Sequence, residues 1–264
     1  MPSRYTGPMK STLVVFTGLG ALALAWGAFI LIDLADVFGL GTAVYEHLSA
    51  RDSSRFQVWA ILFTEGGPIE ILQWLFLAAA SGFALHTHGV LSAEGNPERT
   101  TNRARLFWLL MGIAFLLMLI EDAGNPRHWA IRFSQMLFGG NAGQVTELAY
   151  FVSLGSLPLI ALALFWRTIL TLPRTRVFLL GGFVVYGIAA ISSASRYYWY
   201  EAAGHWLHVS VFGERLREVS LGNHGHGFWL MDYLMEESFE LAGATLLAAA
   251  AAAFLREYKE LFRQ

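Results

Sequence analysis

The chain has 264 residues, of which 55% are hydrophobic, 14% aromatic and only 14% charged, with a net charge of -2 and no cysteine. It is too apolar for an ordinary soluble domain. The lack of cysteine excludes disulfides, thiolate metal sites and cysteine nucleophiles, and a near-neutral balance with no basic cluster or stripe argues against a nucleic-acid partner.

Crossing ~30 Å of hydrocarbon takes about 20 apolar residues in a helix. Six segments qualify: 12–32, 58–85, 106–120, 148–170, 177–195 and 228–255. The first is longer than a signal-peptide core and is read as a retained span. The second and sixth are long enough to tilt or break, and the third borrows its flanks. The expected fold is therefore an all-α, polytopic integral membrane protein of about six transmembrane helices, forming one domain over 1–264.

Basic residues near the span ends set the orientation. With both termini cytoplasmic, the inner side holds Arg4, Lys10, Arg99, Arg103, Arg105, Arg167, Arg174, Arg176, Arg256, Lys259 and Arg263, the majority of the 18 basic residues. On the same side lie only Glu94, Glu98, Glu257 and Glu260 of the 20 acidic residues. The expected location is a cytoplasmic membrane of prokaryotic type, with the acids facing the non-cytoplasmic side.

Taken in chain order, Asp33 and Asp36 close the outer end of span 1 and read as interfacial caps or salt-bridge partners. Span 2 opens "FTEGGPIEILQW", placing Glu65 and Glu70 around Gly66, Gly67 and Pro68. In an unbroken helix these two carboxylates would point roughly 140° apart. A break at Gly-Gly-Pro brings both to one place and frees backbone carbonyls, and carbonyls beside carboxylates are a recurrent cation-binding device in membranes.

Span 3 ends on Glu121 and Asp122, where the helix dipole disfavours negative charge. Arg127 and His128, just past the Gly124-Asn125-Pro126 turn, can fold back onto them; alternatively the two acids line a cavity with His128 as ligand or relay. Glu147 after Thr146 reads as ordinary capping at the start of span 4. Arg196, at the outer end of span 5, is the cationic counterpart available to the acids. The loop 197–227 predicts an interfacial helix over about 203–219. Its histidines His205, His208, His224 and His226 are surface groups first and metal ligands second. Tyr197, Tyr198, Trp199, Trp206 and Trp229 form an interface belt.

In span 6, "FWLMDYLMEESFELAGATLL", Asp232, Glu236 and Glu240 recur every four residues and stack on one helical face. Glu237 points about a quarter-turn away. Gly243 and the following alanines allow a close helix neighbour. A carboxylate near mid-bilayer costs roughly 2.5 to 3.5 kcal/mol, so four facing lipid would cost on the order of 10 kcal/mol. They are expected to turn inward, and the ladder either keeps its protons or shares a cation.

No lysine stands inside a span, and HExxH, GxSxG and P-loop motifs are absent. The Glu236-Glu237 pair resembles the paired glutamates of intramembrane CAAX-type proteases, but Leu241 stands where that family carries an arginine, and the chain is assigned to no family. The expectation is an outward-opening acidic cavity that binds a divalent cation or protons for transport or conduction, with Glu65, Glu70, Glu236, Glu240, Glu121 and Asp122 as its groups. Glu65, Glu236, Glu240 and His128 are the metal set, for which oxygen ligands favour Ca, Mg or Mn. Asp232, Glu237, Arg196 and Pro68 support it. The partners are the bilayer and a small cation or lipid-like substrate. One alternative is a membrane-embedded metal-dependent hydrolase of a lipid-like substrate, which needs histidines within reach of the carboxylates. The other is a non-catalytic scaffold. The nearly apolar inner halves of the spans weigh against a transport path.

Overall fold

The computed structural model describes residues 11–50, 57–93, 99–139, 142–213, 216–218 and 224–262. Arg4, Lys10, Glu94, Glu98 and Arg263, which enter the charge balance above, lie outside the described residues, as does part of the expected 203–219 helix.

The elements in chain order are α1 (Ser11–Ala28), running into a π-helix (Phe29–Leu34); a 3-10 turn (Val37–Gly39); α2 (Leu40–Ser49); α3 (Val58–Leu62); α4 (Pro68–Ala93); α5 (Arg99–Gly124); α6 (Pro126–Phe138); α7 (Ala142–Leu170); α8 (Pro173–Ala194); α9 (Arg196–Leu207), running into a π-helix (His208–Phe212); α10 (His226–Trp229); a π-helix (Leu230–Glu236); and α11 (Glu237–Phe262). Among the described residues, six stretches are long and apolar enough to cross a membrane: Ser11–Leu34, Pro68–Ala93, Asn102–Gly124, Ala142–Arg167, Pro173–Ala194 and His226–Glu260. The protein is an all-α polytopic membrane protein.

Two boundaries differ instructively from the sequence reading. The second span does not run unbroken from residue 58. α3 stops at Leu62 and the spanning helix starts at Pro68, because proline fits the first helical position, where its missing N–H costs nothing. The fourth span begins at Ala142, so Glu147 sits beyond the first turn of α7 and is no cap.

The chain forms two compact units. The first comprises Met1–Phe16, Trp74–Val184 and Gly243–Gln264; the second comprises Thr17–Gln73 and Val185–Ala242. α1, α4, α8 and α11 contribute residues to both.

Small residues set the helix approach in the first unit. A side-chain carbon at Gly182 would stand 2.9 Å from Leu247 atoms, and one at Gly112 would meet Leu85 at 2.6 Å. The alanines Ala248 to Ala251 are buried, and Trp108 packs on Phe254 with ring centres 4.7 Å apart. Glu257, assigned above to the inner side, is buried. It accepts the amides of Arg174 and Thr175, both at 3.0 Å, and the Thr175 hydroxyl at 2.9 Å. It thereby satisfies orphan donors at the start of α8, where the dipole favours an anion.

In the second unit, Trp26 stands edge-on to Phe29 and Phe63, and its indole donates to the Ser238 hydroxyl at 2.9 Å. Asp33 accepts the amides of Val58 at 3.0 Å and Trp59 at 2.7 Å, capping α3 from a distant part of the chain. α9 and α10 meet backbone to backbone. A side-chain carbon at Gly204 would fall 1.8 Å from the Gly227 carbonyl, so only glycine is admitted there.

Candidate functional site

Three helical segments of the second unit converge on the span 6 acids. The sequence reading places Asp232, Glu236 and Glu240 on a regular α-helical face. The structure instead winds Leu230–Glu236 as a π-helix, whose hydrogen bonds run i→i+5, and the α-helix resumes only at Glu237. The Ser238 hydroxyl fills part of this irregularity by donating to the Leu234 carbonyl at 2.5 Å.

Each rung meets a donor from elsewhere in the unit. Arg196 Nη1 lies 3.6 Å from Asp232 Oδ1, with both side chains largely buried. One turn further along α9, the fully buried Tyr200 donates its hydroxyl to Glu236 Oε2 at 2.6 Å. Ser193, at the end of α8, also hydrogen-bonds Glu236. Gln73, fully buried on α4, donates its amide to Glu240 Oε2 at 2.8 Å and approaches the Tyr186 hydroxyl at 3.4 Å. Burial, and next the Glu236 carboxylate beside it, push the Tyr200 hydroxyl above its ordinary range. Glu237 is buried, whereas Glu236 and Glu240 are half-buried.

The Gly-Gly-Pro break is present, and its two acids differ in exposure while still interacting electrostatically. Glu65 is exposed in the break; Glu70 is buried, and its carboxylate turns back to accept the Gly66 amide. Gly66 has φ +73°, a left-handed conformation suited to glycine. Glu70 thus works at the start of α4, where an acid at the third helical position can reach back to an orphan donor.

The first unit holds the acids of spans 3 and 4. Arg127, 9% exposed, places Nε 3.4 Å from Glu121 and Nη1 3.7 Å from Glu147, and lies over the Phe151 ring at 4.8 Å. The Tyr150 hydroxyl also bonds to Glu121. Asn125, at φ +48°, makes the turn that returns Arg127 toward α5. Glu121 and Glu147 are therefore the two arms of one arginine-centred ion pair. Asp122 and His128 are half-buried and engaged in contacts of their own.

Three histidines of the 197–227 segment, His208, His224 and His226, pack as rings. His208 and His226 stand edge-to-face at 4.7 Å, and His224 stacks on Phe228 at 4.0 Å. Of the belt aromatics, Tyr197, Tyr198, Trp199 and Trp206 are exposed, while Trp229 packs on Tyr233 at 5.0 Å. Just after span 1, the hydroxyl and amide of Thr42 donate to Asp36 at 2.8 and 3.0 Å and hold its carboxyl below the usual range. Among the described residues, no group of three or more histidine, aspartate or glutamate side chains is placed to hold a metal ion.

Sequence reasoning missed Tyr200, Ser193, Gln73 and Tyr186. Gln73 carried a signal, as a lone amide in an apolar span three residues after Glu70. Tyr200 carried a weaker one, four residues after Arg196. The chain matches no protein-family model, no curated protein and no solved structure.

Proposed function

We propose that this membrane protein binds and exchanges protons on the Asp232, Glu236 and Glu240 ladder, and that this exchange drives transport or conduction. The carrying observation is the chemistry of the donors. Glu236 is held by the hydroxyls of Tyr200 and Ser193, and Gln73 offers Glu240 a neutral amide. A hydroxyl, unlike a guanidinium, serves a carboxyl as donor or acceptor, so Glu236 keeps a partner whether or not it carries a proton. Asp232 and Glu240 both interact electrostatically with Glu236, and like charges repel when all are ionised, which favours proton sharing along the ladder.

Arg196 fixes the charge of the Asp232 rung and leaves the next rungs to vary. Hydroxyl and amide groups at Ser193, Tyr200, Gln73 and Tyr186 offer hydrogen-bonded steps between them. A ladder read this way opens toward the non-cytoplasmic side. A divalent-ion site and a metal-dependent hydrolase both need a cluster of ligands, and the described residues supply none.

Purified protein in vesicles loaded with a pH-sensitive dye tests this reading. An imposed proton gradient is expected to dissipate faster than in empty vesicles, and Glu236→Gln should reduce the rate at least tenfold. Rates equal to those of empty vesicles, or equal in wild type and variant, refute it.

A further inference from the structure

The break between α3 and α4 gathers several backbone carbonyl oxygens in one place. α3 ends at Leu62, and a helix that stops strands its last carbonyls. The Gly67 amide goes to the Thr64 carbonyl at 2.7 Å, and the Gly66 amide goes to the Glu70 carboxylate. Among the described residues, the carbonyls of Ile61 and Leu62 receive no backbone amide from the break.

These oxygens are not scattered. A first side-chain carbon at Gly67 would lie 2.6 Å from the Thr64 carbonyl, 2.9 Å from that of Leu62 and 3.0 Å from that of Ile61. Three carbonyl oxygens thus gather around one buried glycine that no other residue can replace without collision. Thr64 adds a second observation. It is 1% exposed, and its hydroxyl has no hydrogen-bond partner among the described residues. A buried polar group without a partner costs about 1 to 3 kcal/mol and calls for an explanation.

We infer that this break is a binding site for a monovalent alkali cation, held by the carbonyls of Ile61, Leu62 and Thr64 and the Thr64 hydroxyl. Neutral carbonyl and hydroxyl oxygens replace the hydration shell of such ions, and broken membrane helices hold them in this way. Glu65 stands within the break and Glu70 just after it, at the start of α4. A divalent ion calls for several carboxylates in its shell, and here Glu70 is committed to the Gly66 amide while Glu65 is exposed. The site is separate from the proton ladder and does not depend on it.

Thermal unfolding of the full chain in detergent, at constant ionic strength in sodium, potassium or choline chloride, tests the inference. Sodium or potassium is expected to raise the midpoint saturably and choline is not. Thr64→Val should weaken the apparent affinity about tenfold or more, and Gly67→Ala, which fills the cradle, should abolish the response if it folds. Equal midpoints in the three salts, or a Thr64→Val protein that responds as wild type does, overturn it. Wild-type protein that answers to the cation but moves no protons in vesicles would leave this site standing and remove the ladder reading.

Discussion

The two acidic clusters of this protein look alike in the sequence and differ in what holds them. In the first unit a single guanidinium, Arg127, lies between Glu121 and Glu147. In the second unit Arg196 reaches Asp232, while Tyr200 and Ser193 supply hydroxyls to Glu236 and Gln73 supplies an amide to Glu240. The first cluster is held by a fixed positive charge, and two of the three acids of the second by neutral donors. The proposed proton exchange rests on the second arrangement, and the first is read as structural.

Breaking the first cluster should have the largest effect. Arg127→Met leaves two buried carboxylates facing each other and is expected to destabilise the protein by about 3 to 5 kcal/mol, read as a lowered unfolding midpoint in detergent. Adding Glu121→Gln and Glu147→Gln should recover much of that loss. Arg196→Met should cost less, about 1 to 3 kcal/mol, because one carboxylate loses its guanidinium partner rather than two. An Arg196→Met loss as large as that of Arg127→Met would erase the distinction between the clusters.

Tyr200→Phe should cost about 1 kcal/mol at neutral pH through loss of one hydrogen bond. It should also change the alkaline limb. A tyrosine whose folded value is raised contributes stability that is fully present below the ordinary tyrosine range and is lost as pH rises through it. The variant should therefore lose less stability than wild type on the alkaline side. The smallest effect belongs to Asp36, exposed and screened. Its depressed value contributes stability above the ordinary carboxylate range that is lost as pH falls, and Asp36→Asn should flatten only that acid limb.

Composition and apolar run lengths were enough to read the membrane class and the six spans, because lipid demands long apolar helices. The break before Pro68 was legible from Gly66-Gly67-Pro68, although proline's place as the first residue of α4 needed the backbone. Residues far apart in the chain were not legible. Glu147 stands twenty positions after Arg127, and nothing local marks that pairing or the contacts of Tyr200 with Glu236 and Gln73 with Glu240. Glu257 looks like a surface acid until the start of α8 is seen against it. The π-helix over Leu230–Glu236 leaves no mark on an acidic repeat that suits an α-helix equally well.

The most direct test is potentiometric counting of protons taken up by purified protein across the mildly acidic to mildly alkaline range. It would compare wild type with Glu236→Gln/Glu240→Gln and with Glu121→Gln/Glu147→Gln. The ladder variant is expected to lose proton uptake within that range, and the ion-pair variant to match wild type there. Equal curves for wild type and the ladder variant, or a loss confined to the ion-pair variant, would contradict the account.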